Sequence, residues 1–127
     1  MLKRAVSLVV VLGMAGAGAA SAQAMQHPAG TKRTVTGTVI DTSCKFGLGL
    51  SGDSHRMCAQ VCADKGIPLA ILGSDGKLYI PTSQAMPGEA QNGRLKDFAE
   101  QEVRVTGTVF EAGGANAIWI DTIAKKS

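Results

Sequence analysis

The 127-residue sequence contains few aromatic residues, only two histidines and none of the common paired-cysteine motifs. Aromatic residues make up 4% of the chain, and thirteen basic residues nearly balance ten acidic ones. This composition does not indicate the basic, aromatic-bearing surface that typifies nucleic-acid binding. The lack of C-x-x-C argues against a thioredoxin-like site, and the lack of C-x-x-C-H excludes ordinary attachment of a c-type haem.

Signatures of catalysis are also missing. The chain has no Ser/His/Asp arrangement, no phosphate-binding loop and no pair of carboxylates with the spacing of a general acid and base. We therefore predict an accessory or binding protein, not a stand-alone enzyme.

The chain instead concentrates its three cysteines and one histidine in a single segment. Asp53 and Ser54 within it are typical of a helix start, because short oxygen-bearing side chains accept hydrogen bonds from free backbone amides. Gly66, followed closely by a proline, is typical of a helix end. The pattern predicts a helix of three turns over residues 54–65.

On a regular helix, spacings of three and four residues return to the same face. His55, Cys58 and Cys62 have these spacings, so we expect them to form one column that points inward. Cys44 comes after a predicted strand, across a Gly-rich loop, and we expect it to meet this column.

These four residues allow three interpretations. The first is a structural disulfide from Cys44 to Cys58 or Cys62, since S–S geometry disfavours a bridge between Cys58 and Cys62 within one regular helix. The second is a metal site of Cys44, His55, Cys58 and Cys62, a donor set that suits zinc and also Cu(I). The third is thiol redox chemistry, in which His55 and the helix N-terminus lower the pKa of a cysteine.

Residues 1–24 have the pattern of a secretory signal peptide, with two basic residues near the start, an apolar run over residues 5–20 and an A-x-A cleavage site ending at Ala24. We expect a periplasmic or secreted protein with no transmembrane anchor after cleavage, and residues 25–32 as a flexible lead-in. Export permits disulfides, and an odd number of cysteines leaves one thiol free, metal-bound or paired with another molecule.

A second metal site could form at the new N-terminus. Cleavage after Ala24 would place His27 third in the mature chain, where the terminal amine, amide nitrogens and imidazole can bind Cu(II) or Ni(II). The alternative is a solvated histidine in a tail, and cleavage after Ala22 would remove the option.

Five segments have the composition or alternation of β-strands. The pentapeptide V-T-G-T-V occurs in the first and the fourth of them, centred on Gly37 and Gly107. A glycine inside a strand marks a bend or a close approach of backbones. The fourth segment comes after a stretch at 94–100 that can form two helical turns. The five predicted strands span residues 33–41, 68–73, 78–80, 102–110 and 117–124.

Five strands, with a helix between the third and the fourth and glycine-bent first and fourth strands, resemble the OB-fold. The chain is similar over residues 33–124 to small bacterial periplasmic OB-fold proteins, in which V-x-G-x-V strands begin each half of the barrel. The resemblance implies a mainly β, five-stranded OB-like barrel forming one domain over residues 33–125. The cysteine-bearing helix between strands one and two is an addition to that fold.

Because a fold does not assign a function, two classes of function stay open. One is an exported accessory protein with a metal-binding or thiol-linked site and an unknown periplasmic partner. Its cofactor would be zinc or copper. The other is an OB-like module that binds a peptide, a glycan or a protein partner, and whose cysteines form a structural disulfide.

Overall fold

The computed structural model describes residues 29–127. The predicted signal peptide and His27 lie outside the described residues. Five strands form within the described part, and each predicted strand lies within or overlaps one of them. They are β1 (Thr31–Asp41), β2 (Leu69–Gly73), β3 (Leu78–Pro81), β4 (Glu102–Ala112) and β5 (Ala115–Lys125).

The strands close into a barrel in the order β1-β2-β3-β5-β4. All neighbouring strands are antiparallel except β3 and β5, which run parallel. The prediction of a mainly β, five-stranded OB-like barrel is confirmed.

Alternate residues of the strands fill the barrel interior, as the two-residue period of a strand requires. Along β4, Val103, Val105 and Val109 are buried while their neighbours are more exposed. The core also includes Tyr79 of β3 and Leu95, which comes from the short helical segment before β4. This packing provides a rigid base for the segments that connect the strands.

The two repeated glycines allow neighbouring backbones to approach closely. A β-carbon on Gly37 would collide with the backbone carbonyl of Leu72 in β2, and one on Gly107 would collide with the carbonyl of Trp119 in β5. A register shift in the pairing of β4 with β5 lies between Thr106 and Gly107. The predicted role of these glycines as points of close approach is therefore confirmed.

Both predicted helices are present. Between β1 and β2, a 3-10 turn (Asp53–His55) leads into α1 (Arg56–Asp64). Between β3 and β4, α2 (Asn92–Leu95) continues into a 3-10 turn (Lys96–Phe98). None of the helices in residues 29–127 is long and apolar enough to cross a membrane.

Candidate metal centre

The three cysteine thiols lie together at the junction of β1 and α1. The Sγ atoms of Cys44, Cys58 and Cys62 are all within 4.8 Å of one another. Ligands about 2.3 Å from a tetrahedral ion are themselves roughly 3.8 Å apart, so the three sulfurs need only small movements to share one ion. The prediction that Cys44 meets the two helix cysteines is confirmed.

A second group of donors adjoins the first. Ligand atoms of Asp41, Cys44 and His55 also lie within 4.8 Å of one another, and all three residues are buried. Cys44 belongs to both groups. We call the first group the thiol triad (Cys44, Cys58, Cys62) and the second the mixed triad (Asp41, Cys44, His55).

Burial decreases steadily across the two groups. Asp41 is fully buried, His55 and Cys44 are 7% and 8% exposed, Cys62 is half-buried and Cys58 is exposed. The expected column therefore points inward only at its His55 end. The buried faces of α1 are those of Ala59 and Ala63, so its cysteines lie at the edge of the contact with the barrel.

Local structure places Cys44 opposite the helix. Asp41, the last residue of β1, accepts a hydrogen bond at Oδ1 from the backbone N–H of Cys44 at 3.0 Å. This bond starts a single π-helical turn over Cys44–Leu48, which ends at Gly49 in the left-handed conformation (φ 68°) that glycine readily adopts. The sequence predicted only a Gly-rich loop here.

The segment before His55 is held by Glu100, which precedes β4. Glu100 is buried, and its Oε2 accepts a hydrogen bond from the backbone N–H of Gly52 at 2.8 Å. Its backbone has φ 59°, a left-handed conformation that is costly for a residue with a side chain. In turn, the N–H of His55 donates to the carbonyl of Gly52. Glu100 thus fixes the loop that delivers the imidazole.

The C-terminal end of α1 is fixed by Asn92 of α2. Its Nδ2 donates to the carbonyls of Ala63 and Ile67 at 3.0 and 2.8 Å, and its Oδ1 accepts from the N–H of Leu69 at 3.0 Å. One side chain thereby ties the last turn of α1 to the start of β2. Cys62, in that last turn, is held in place by these contacts.

Two polar atoms of the mixed triad have no hydrogen-bond partner among the described residues. They are Oδ2 of Asp41 and Nε2 of His55, and both are buried. Buried polar atoms are costly unless they are paired, so these two atoms are available to an ion, a ligand or an ordered water. Asp41 also forms no salt bridge with any described residue.

Asp41 and burial together raise the pKa of two thiols in the site. A weak S–H···O contact of the Cys62 thiol with the carboxylate of Asp41, together with burial, raises the pKa of Cys62 to about 12. Burial, with a smaller effect from the charge of Asp41, raises the pKa of Cys44. Both thiols are therefore protonated at neutral pH in the metal-free protein. The redox interpretation requires a lowered thiol pKa, and neither Cys44 nor Cys62 has one.

All three cysteines are free thiols. The structural disulfide between Cys44 and Cys58 or Cys62 is therefore not formed, although the sulfurs are near neighbours. The predicted metal residues Cys44, His55, Cys58 and Cys62 are brought together around Cys44, and zinc or copper are the metals that their donor atoms favour. Asp41 is the member of the site that the sequence pattern did not predict.

The segments that carry the thiol triad also expose large apolar side chains, which we call the apolar rim. The π-helical turn and the loop after it expose large apolar side chains, as does the outer face of α1. These are Phe46, Leu48, Leu50, Met57 and Val61. Exposed apolar residues that cluster next to a site are typical of contact with a partner.

Comparison with known proteins adds no functional assignment, because the chain has no significant match among protein-family models, curated proteins or solved structures. A functional assignment therefore rests on the chemistry of the two triads.

Proposed function

We propose that this is an exported accessory protein that binds one soft or borderline metal ion, Cu(I) or Zn²⁺, through the thiolates of Cys44, Cys58 and Cys62. His55, which lies within 4.8 Å of the Cys44 sulfur, would move toward the other two sulfurs to become the fourth donor of the singly loaded site. The observation that carries the proposal is the mutual approach of three free sulfurs contributed by two separate chain segments. Thiolates and imidazole are the donors that both metals prefer.

The exposure of the site supports a role in handling a metal instead of burying it permanently. Cys58 faces solvent while Cys44 is buried, so an incoming ion can first meet an exposed sulfur and then the inner ligands. The outer sulfur is equally available for exchange with the ligands of a periplasmic partner. The apolar rim would supply the contact surface for that partner.

Export to the periplasm is part of this proposal and is supported by the pattern of residues 1–24. N-terminal sequencing of the protein recovered from the periplasm tests it. Cleavage after Ala24 is the expected result. Recovery of the intact N-terminus in the cytoplasm would contradict export.

Metal titration of reduced, metal-free protein tests the binding role. We expect the first Cu(I) or Zn²⁺ ion to bind tightly and to protect all three cysteines from alkylation. Substitution of the thiol triad by serine should abolish tight binding, and His55→Ala should weaken it by about tenfold or more, since ligand-shell changes have effects of this size. Val61→Ala, an exposed change on the same helix, is the matched control and should bind like the unaltered protein.

A second candidate function is the recognition of a peptide, glycan or protein partner. In that case the metal site or a disulfide would serve only to stabilise the cysteine-bearing segment. The apolar rim is the observation that favours it. Mass measurement after alkylation separates the two candidates. One disulfide and one free thiol in protein isolated from the periplasm would favour partner recognition with a structural disulfide. Three thiols protected by bound metal would favour the metal-handling role.

A further inference from the structure

We infer that the mixed triad binds a second divalent ion, Zn²⁺, beside the first, with the thiolate of Cys44 bridging the two ions. Asp41 and His55 would supply the terminal ligands of the second ion. This inference rests on the proposed function, because Cys44 must already be held as a thiolate by the first ion. It goes further in assigning a role to Asp41 and a capacity of two ions per chain.

Geometry is the first argument. Asp41, Cys44 and His55 present an oxygen, a sulfur and a nitrogen within 4.8 Å of one another, which is close enough for all three to reach a single ion. All three residues are at least nine-tenths buried. Three protein ligands with one remaining position for water is a common arrangement for zinc.

The unpaired atoms are the second argument. Oδ1 of Asp41 is used by the backbone of Cys44, whereas Oδ2 has no partner among the described residues, nor has Nε2 of His55. A bound ion would satisfy both atoms at once. Once the first ion is bound, the Cys62 thiolate has no proton to donate to Asp41, so the thiol triad alone leaves Oδ2 of Asp41 unpaired.

Charge is the third argument. With one Zn²⁺ ion bound, the three thiolates and the carboxylate of Asp41 leave the cluster with two uncompensated negative charges. A second Zn²⁺ ion brings the net charge of the two ions and four anionic ligands to zero. Because burial of unpaired charge is costly, neutralising the charge is favoured at the mixed triad, whose three residues are buried. Two Cu(I) ions would leave two negative charges, so the second position should select a divalent ion.

His55 has a different role in the two states. In the singly loaded protein it can complete the coordination of the first ion. When a second ion enters, the imidazole and Asp41 both serve that ion, and the three thiolates retain the first.

Titration of reduced, metal-free protein with Zn²⁺ alone, combined with native mass spectrometry and alkylation, tests the inference. We expect two ions per chain. Asp41→Asn keeps an oxygen for the N–H of Cys44 but removes the negative charge of the side chain. It should lower the affinity for the second ion at least 100-fold while changing the affinity for the first ion by less than tenfold. Because a buried substitution can disturb folding, His55→Ala is a second variant and should also leave one ion bound. Asp53→Asn, an exposed change in the turn that carries His55, is the control and should still bind two.

The outcomes separate the two proposals. A single ion that protects all three cysteines in the unaltered protein would overturn the inference and leave the proposed function in place. Two ions in both Asp41→Asn and His55→Ala would place the second ion elsewhere and would also overturn the inference. No bound Zn²⁺ in the unaltered protein would overturn the inference, and failure to bind Cu(I) as well would overturn the proposed function.

Discussion

Replacing Asn92 should show how strongly the short helix before β4 holds the cysteine-bearing helix. Asn92→Ala removes three hydrogen bonds, to the backbone of Ala63, Ile67 and Leu69. At about 0.5–1.5 kcal/mol for each bond, and with partial access of water to the exposed groups, the loss of unfolding free energy should be about 2–4 kcal/mol. In a domain of this size, each kcal/mol corresponds to a fall of about 4–8 °C in Tm.

Urea denaturation monitored by circular dichroism measures this loss, and alkylation of Cys62 reports on the helix end directly. We expect Cys62 to react faster in the variant, because the last turn of α1 loses its anchor. Asn92→Asp is informative as well, since it keeps the acceptor for Leu69 but turns a carboxylate toward two carbonyl oxygens. It should destabilise the protein at least as much.

Gln91→Ala is the matched control for this experiment. Gln91 is the adjacent residue, and its side chain donates a single exposed hydrogen bond to the carbonyl of Glu89. Its loss should change stability by no more than about 0.5 kcal/mol. Equal effects of Asn92→Ala and Gln91→Ala, on both stability and the reactivity of Cys62, would refute the reasoning.

Three further predictions concern the barrel and the loop. Gly107→Ala should lower the unfolding free energy by about 2 kcal/mol or more, because the added β-carbon would collide with a backbone carbonyl. The control Gly93→Ala, in open space within α2, should be neutral or slightly stabilising. Thermal denaturation measures both changes. Glu100→Ala should lower the unfolding free energy by about 1–3 kcal/mol and speed hydrogen exchange at the amide of Gly52, which donates to Glu100. Unchanged exchange at Gly52 would contradict the anchoring role. The hydroxyl of Tyr79 donates a hydrogen bond to Asp75 at 2.6 Å, and this bond lowers the pKa of the Asp75 carboxyl. The bond therefore stabilises the folded protein fully above pH about 4, and this stabilisation is lost as the pH falls through the folded-state pKa of Asp75. The Tm difference between the unaltered protein and Tyr79→Phe should therefore be constant at neutral pH and shrink below pH about 4, and a difference that grows in acid would contradict this.

The fold was largely predictable because its signals are local. Valine alternation and the glycine at the centre of each V-T-G-T-V motif both act over a few residues. The stop at Gly66 was equally clear, since the residue has φ 91° and ends the helical segment as predicted. The meeting of Cys44 with the helix cysteines could be expected from the connection of strand to helix.

The missed parts of the site depend on contacts distant in sequence. Asn92 and Glu100 act on residues more than twenty positions away, so no local pattern marks them. The exposure of Cys58 was missed because periodicity gives the face of a helix but not what covers it. Asp41 did have a local signal: an aspartate at a strand end, three residues before Cys44, is placed to cap the next turn.

The most direct test of the central claim is X-ray absorption spectroscopy at the zinc edge on protein loaded with one equivalent of Zn²⁺. We predict three sulfur neighbours at about 2.3 Å, together with one lighter neighbour. A first shell made only of oxygen and nitrogen, or one that contains a single sulfur, would contradict a centre built on Cys44, Cys58 and Cys62.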